Sequence, residues 1–141
     1  SLALALKLAS SEQTAFEQRT KKYRETIIKV LKEAQLAFNL QTSLEPEKSA
    51  PHVLNISFPD IDGRLLVPAL NVQGVEVSSG SACASGASMA SPVLLASGVS
   101  KPLAESSLRL SFQHYYKKDV FEAACQRIVS VISSIYKVAK S

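Results

Sequence analysis

One cysteine in this 141-residue chain stands in a segment whose composition suits chemistry better than packing. From residue 78 to residue 88 no side chain is longer than that of serine or cysteine, and two of the residues are glycines. The sulfur of Cys83 is the strong nucleophile of this segment, and glycines let a backbone approach a ligand closely. The pattern predicts a mobile loop that carries a reactive thiol.

The alternative for residues 78–88 is a Ser/Gly linker with an incidental cysteine, because such tracts are usually only flexible. The flanking residues argue against a linker. Residues 75–77 alternate like a strand that enters the loop, and residues 92–95 are apolar and helical in type. A linker seldom separates two elements of one compact unit, so we favour the loop.

The second cysteine, Cys125, falls on the apolar side of a predicted amphipathic helix, where burial raises the pKa of a thiol. We therefore assign Cys125 to the core. The two cysteines form neither a CxxC pair nor a metal-ligand spacing, so no metal site is predicted. The sequence leaves a disulfide between them open, although a thiol that must react favours a reducing compartment, and we expect the cytoplasm.

Arg109 lies in the alternating stretch of residues 107–113, whose other face is formed by leucines and a phenylalanine. By pattern alone such an arginine is an ordinary solvent-facing residue. The two histidines of the chain, His52 and His114, are expected to be structural or surface residues.

Three ordered segments resemble motifs of the NifS/IscS-type cysteine desulfurases. These enzymes belong to the class V aminotransferase group and use pyridoxal phosphate to take sulfur from L-cysteine. The segments are Pro51-His52-Val53-Leu54-Asn55-Ile56-Ser57-Phe58-Pro59, Ser78-Ser79-Gly80-Ser81-Ala82-Cys83-Ala84-Ser85-Gly86 and Ser106-Ser107-Leu108-Arg109-Leu110-Ser111-Phe112.

The resemblance implies a role for two residues. Cys83 would be the catalytic cysteine that takes the sulfur as a persulfide, and Arg109 would hold the α-carboxylate of L-cysteine. The sulfur acceptor would be a partner such as an iron–sulfur scaffold protein, with which Cys83 could also share an iron–sulfur cluster. The complete enzyme would be a homodimer.

The resemblance also limits what this chain can do alone. In the family, pyridoxal phosphate is bound to a lysine in a His-Lys motif of a large domain, and no His-Lys occurs in this sequence. We therefore expect no cofactor-binding residue and no bound cofactor here, and we expect the 141 residues alone to be inactive.

The sequence departs from the family pattern at Met89-Ala90-Ser91-Pro92 and at residues 113–118. These departures affect loop anchoring and helix entry and leave Cys83 and Arg109 in place. Two other functions stay open: a non-catalytic dimerisation or docking module of the same fold, and a related class V aminotransferase such as a selenocysteine lyase. A Cys83→Ser change would leave a docking module intact but abolish sulfur transfer.

Periodicity predicts the elements that position these residues. Residues 2–37 lack Gly and Pro and predict a long helix with a break near Ser10-Ser11, although the alternating leucines of residues 2–8 are also a strand signal. Strands are predicted at residues 38–42, 53–58 and 107–113, and short helices at 64–70, 92–96 and after Ser100. A terminal helix is predicted to be capped by Asp119 and to run to about residue 138.

These elements predict an α+β fold in which a small antiparallel sheet of three to four strands is covered by long N- and C-terminal helices. The resemblance implies the same arrangement, the small domain of a fold-type-I pyridoxal-phosphate enzyme. We expect one domain over residues 1–141. Residues 1–37 would be a helical lead-in from a missing large domain, and residues 38–141 the small domain with the catalytic-cysteine loop at 78–88.

Composition excludes some classes of function. The formal net charge is +4, but the basic residues are scattered and only 6% of residues are aromatic, so nucleic-acid binding is not favoured. No run of eighteen apolar residues occurs, so no membrane span is predicted.

Overall fold

The computed structural model describes residues 1–79 and 90–139. It contains five α-helices and four strands in these ranges, together with a 3-10 turn at Pro46–Lys48. In chain order the elements are α1 (Leu2–Glu33), β1 (Asn39–Leu40), β2 (Val53–Ser57), α2 (Gly63–Val72), β3 (Ser78–Ser79), α3 (Pro92–Ala96), α4 (Lys101–Glu105), β4 (Ser107–Ser111) and α5 (Lys118–Ala139).

The first helix is continuous, so the predicted break near Ser10-Ser11 is wrong. The hydroxyl of Ser11 donates to the carbonyl of Leu8 at 2.8 Å, which satisfies the serine inside the helix without disturbing it. The helix ends at Glu33 rather than residue 37, because Gln35 takes a positive φ of 54°. The leucines of residues 2–8 are helical, so their alternation does not mark a strand.

The sheet is antiparallel throughout, with the strand order β1-β2-β4-β3. In the central pair, Leu54 lies opposite Leu110 and Ile56 opposite Leu108, and all four side chains are buried. Since side chains alternate between the faces of a strand, this register puts the apolar residues of both strands on one face. The predicted α+β class, with helices over a small antiparallel sheet, is confirmed.

Helices α1 and α5 both contribute to the core on the apolar face, together with Leu66 and Leu70 of α2. Ile27, Ile28 and Leu31 of α1 belong to the same core as Ile128 and Ile132 of α5. The last helix begins at Lys118, two residues before the first helical residue that a cap at Asp119 predicts, so Asp119 lies in its first turn rather than at the cap. There its carboxylate still complements the helix dipole.

The stretch before the cysteine segment differs from the prediction. Residues 75–77 form no strand, because the amide of Val75 donates back to the carbonyl of Leu70 at the end of α2. The strand is instead β3, in which Ser78 pairs with Arg109 and Ser79 with Leu108. Two serines predicted to lie in a mobile loop are therefore held in the sheet.

A polar tether joins α1 to the connection between β1 and β2. The guanidinium of Arg24, only 4% exposed, donates to the carbonyl of Ser43 at 2.5 Å and to the hydroxyl of Ser49 at 3.4 Å. Desolvation lowers the pKa of Arg24. Because a buried guanidinium needs acceptors, these bonds hold the loop against the helix.

The first four turns of α1 extend away from the core. Residues 1–15 are all exposed, including the four leucines at positions 2, 4, 6 and 8. Within the described ranges, no helix has the length and apolar character needed to cross a membrane.

Candidate functional site

Arg109 lies at the middle of β4, on the polar face of the sheet. It is paired on one side with Asn55 of β2 and on the other with Ser78 of β3. Its neighbours Leu108 and Leu110 are buried in the core, so alternation sends Arg109 to the opposite face. The side chain is half-buried there rather than fully exposed, which differs from an ordinary surface arginine.

A single hydrogen bond orients the guanidinium. Its Nε donates to the hydroxyl oxygen of Ser78 at 3.0 Å. Among the described residues, no carboxylate or other acceptor is bonded to the two terminal nitrogens of Arg109. A half-buried cation whose two terminal nitrogens have no acceptor among the described residues is well suited to bind an anion, and the planar fork of guanidinium matches a carboxylate.

An open cavity of about 680 Å³ runs beside this arginine. One wall is formed by residues 74–78, and another by residues 109–113 at the end of β4. Side chains of α5 line the remaining side. Arg109, Ser78 and Glu76 are among its polar lining residues, and Val120 and Phe121 among its apolar ones. The space is larger than a single amino acid needs, and Arg109 supplies its positive charge.

Asn55, on the other side of Arg109, is a residue that sequence reasoning did not single out. Its side-chain Oδ1 is buried and accepts no hydrogen bond from any described residue, whereas its backbone N–H donates to the hydroxyl of Thr42 at 2.8 Å. A buried acceptor without a donor is costly. Strand alternation predicted that Asn55 and Arg109 lie on polar faces, but the register that makes them neighbours has no signal in the sequence.

Cys83 lies outside the described residues, so the structure does not test the prediction for it. The described chain stops at Ser79 of β3 and resumes at Ala90, next to the buried Ser91. The hydroxyl of Ser91 accepts from the amide of Leu94 at 3.5 Å and caps α3. The cysteine-bearing segment therefore follows directly after β3, whose first residue, Ser78, is the strand partner of Arg109.

Cys125 is a core residue, as predicted. Its side chain is 2% exposed, it carries a free thiol, and burial raises its pKa to about 11. The thiol of Cys125 takes part in no disulfide with a described residue. A thiol that is protonated at neutral pH and shielded from solvent is a poor nucleophile.

The two histidines lie around Phe16 of α1. The ring of His114 stacks on Phe16 with centroids 5.7 Å apart, and that of His52 lies at 5.8 Å. Arg19 donates to Nε2 of His114 at 2.7 Å, and Oε2 of Glu12 lies 3.4 Å from the same nitrogen. These contacts fix the turn between β4 and α5 to the first helix.

The described residues do not by themselves form a site for pyridoxal phosphate. A lysine that bonds this cofactor has to lie in the pocket that holds the ring. Every lysine in residues 1–79 and 90–139 is exposed, and none lines the cavity beside Arg109. Nor do the described residues bring together three or more potential metal ligands.

A family model described as aminotransferase class-V matches residues 1–123, which is most of the chain. The chain belongs to the class V aminotransferase family. A cysteine desulfurase IscS of Photorhabdus laumondii is 31% identical over 135 residues, covering 96% of this chain and 32% of the relative. One from Buchnera aphidicola subsp. Baizongia pistaciae is 38% identical over 89 residues, covering 63% of this chain and 22% of the relative.

A solved structure of a NifS-like protein superposes on this class V aminotransferase chain with a TM-score of 0.75. The two are 26% identical, and the match covers 94% of this chain and 32% of the other. The chain is thus related to the IscS/NifS cysteine desulfurases, and its matches span between about a fifth and a third of the length of these relatives.

Proposed function

We propose that this chain is the C-terminal part of a pyridoxal phosphate-dependent cysteine desulfurase and carries the cysteine that receives sulfur. In this proposal residues 1–37 connect to a larger domain that holds the cofactor, and residues 38–141 form the small domain. The relationship to IscS proteins supports the enzyme class, and the absence of a His-Lys pair supports a cofactor site elsewhere.

The observation that supports it most directly is the pairing of Arg109 with Ser78. It puts a half-buried guanidinium, whose two terminal nitrogens have no partner among residues 1–79 and 90–139, beside the strand that precedes the Cys83 segment. Because consecutive Cα atoms are about 3.8 Å apart, the four residue-to-residue steps from Ser79 to Cys83 limit the distance between their Cα atoms to roughly 15 Å. One substrate molecule held at Arg109 by its carboxylate would therefore have Cys83 within reach of the same region.

The net change assigned to Cys83 balances without an oxidant. The Cβ–S bond of L-cysteine breaks, Cβ takes a proton to give L-alanine, and the released sulfur forms an S–S bond with Cys83. The products are L-alanine and a Cys83 persulfide. Pyridoxal phosphate, held by the large domain, would supply the electron sink that weakens the Cβ–S bond.

The resemblance to cysteine desulfurases suggests the partners in this proposal. The persulfide sulfur would pass to an acceptor such as an iron–sulfur scaffold protein, in a homodimeric enzyme of the cytoplasm. A reducing compartment keeps a persulfide-forming thiol from being locked in a disulfide.

The test uses the protein purified from its source, incubated with L-cysteine. Alanine formation is measured, and sulfur on each cysteine is located by alkylation and peptide mass spectrometry. We expect a mass increase of one sulfur on Cys83 and none on Cys125, with both products lost in Cys83→Ser and retained in Cys125→Ser. Alanine release by residues 1–141 alone with added pyridoxal phosphate would contradict the assignment of the cofactor site to another domain.

A further inference from the structure

The hydrogen bond from Arg109 to Ser78 determines which side of the guanidinium is free. A guanidinium binds a carboxylate with two parallel hydrogen bonds in one of two ways: through Nε and one terminal nitrogen, or through both terminal nitrogens. In this structure Nε is already bonded to Ser78 Oγ at 3.0 Å. The first way is therefore blocked, and the second remains.

The backbone makes this bond a stable feature of the sheet. Ser78 and Arg109 are directly paired in antiparallel strands, and directly opposite side chains have Cβ atoms about 5 Å apart on the same face. Both side chains are half-buried, so neither is free to sample the solvent as an exposed pair would. Strand pairing, and not a flexible loop, brings the hydroxyl to Nε.

Ser78 also lies close in sequence to the segment that carries Cys83, whereas Arg109 does not. It belongs to the two-residue strand β3, and the segment that carries Cys83 follows that strand directly. A single hydrogen bond thus joins the carboxylate-binding group to the start of the segment with the sulfur-receiving group.

We propose that Ser78 is a positioning residue that holds Arg109 so that its two terminal nitrogens bind the substrate carboxylate. This inference rests on the proposed function, in which Arg109 binds that carboxylate. Ser78 does not contact the substrate. It acts by holding Nε, and this limits the guanidinium to one orientation before the ligand arrives. Such preorganisation raises affinity, since less motion is lost on binding.

The test is a titration of the 141-residue chain with L-alanine, followed by NMR of the Nε–H group of Arg109. L-alanine carries the carboxylate and ammonium of the substrate but no thiol, so no reaction occurs. The variants are Ser78→Ala, which removes the acceptor, and Ser78→Thr, which keeps a hydroxyl. Ser79→Ala is the matched control on the same strand but the other face, and Arg109→Gln removes the guanidinium.

In Ser78→Ala we expect faster solvent exchange of the Arg109 Nε–H and about threefold to tenfold weaker L-alanine binding, the effect of losing one ordinary hydrogen bond. Ser78→Thr should restore both properties, and Ser79→Ala should leave both as in the unmodified chain. Circular dichroism checks that each variant is folded.

The other outcomes separate the two proposals. If Arg109→Gln binds L-alanine as well as the unmodified chain does, the carboxylate role of Arg109 is wrong and this inference fails with it. If Arg109 is required but Ser78→Ala behaves like Ser79→Ala, only the positioning role is overturned. If Ser78→Ala and Ser78→Thr both weaken binding with the Arg109 Nε–H unchanged, the effect comes from strand β3 and the positioning role is again wrong.

Discussion

At the scale of single residues, the environment of Cys125 separates it from any sulfur-transfer role. The thiol is enclosed by the core that α5 forms with the sheet, and burial raises its pKa to about 11. The thiolate is the reactive form of cysteine, so the raised pKa lowers the amount of nucleophile, and burial separately limits access to it. The proposal leaves Cys83 as the cysteine available for chemistry.

Alkylation at pH 8 should leave Cys125 unmodified in the folded chain and modify it after guanidinium is added. Peptide mass spectrometry measures both. The pKa shift also predicts a loss of stability between about pH 9 and pH 11, because the unfolded chain releases this proton first and the folded chain holds it until about pH 11. Below pH 9 the thiol is protonated in both states, so the full contribution is present there.

The variant Cys125→Ala isolates this contribution. Its free energy of unfolding should fall less steeply from pH 9 to pH 11 than that of the unmodified chain, although removing the buried sulfur lowers stability by about 1–2 kcal/mol at neutral pH. Parallel pH profiles for the two proteins would show that Cys125 does not remain protonated in the folded state.

At the scale of elements, α2 and α4 meet at a glycine. A Cβ added at Gly63, the first residue of α2, would lie 1.8 Å from the carbonyl oxygen of Glu105 at the end of α4. Backbone cannot move aside as a flexible side chain can, so the two helix ends approach this closely only because residue 63 has no side chain. Glu105 is followed by β4, so this contact helps to set where the strand of Arg109 begins.

Gly63→Ala should lower the free energy of unfolding by about 3 kcal/mol, the cost of forcing two packed backbones apart. Gly98→Ala is the control. Gly98 also resists substitution, but for a different reason: it has a positive φ of 83°, and no atom of a described residue lies within 4 Å of the added Cβ. Its loss should be about 1 kcal/mol. Urea unfolding measures both, and equal losses would mean that the close approach at Gly63 does not determine its cost.

At the scale of the whole molecule, Tyr136 joins three parts of the chain that are far apart in sequence. It belongs to α5, and its hydroxyl lies 2.9 Å from the carbonyl of Ala37 and 2.8 Å from that of Pro59. The first carbonyl follows α1 and the second follows β2. Burial and the nearby Asp60 raise the pKa of this tyrosine, so the hydroxyl stays a donor over the ordinary pH range.

Tyr136→Phe should lower the free energy of unfolding by about 1 kcal/mol, the usual contribution of one hydrogen bond. The loss is that of a single bond because the hydroxyl has one proton for the two carbonyls. Tyr115→Phe is the matched control, since Tyr115 is 66% exposed and its hydroxyl makes no hydrogen bond to a described residue. Thermal unfolding compares the two. If Tyr115→Phe costs as much as Tyr136→Phe, the bridge at Ala37 and Pro59 adds nothing to the stability of the molecule.

Periodicity in the sequence determined the elements and their faces. The alternation of Leu54 and Ile56 with polar residues, and of Leu108 and Leu110 around Arg109, gave the two central strands and the buried side of each. The 3.6-residue spacing of Cys125, Ile128 and Ile132 gave the buried face of α5. These patterns are local. Because an apolar face is buried whichever element covers it, the buried side of a strand or helix can be predicted without knowing what packs on it.

Tertiary structure decided what depends on register and on contacts between distant segments. Nothing local in Ser78-Ser79 predicts a strand. They are extended because they pair with β4, whose edge would otherwise be left open. The same pairing gives Arg109 its Ser78 partner, and the β2–β4 register places Asn55 on its other side. The sequence by itself supplied the residues that could do chemistry, and strand pairing selected which of them became neighbours of Arg109.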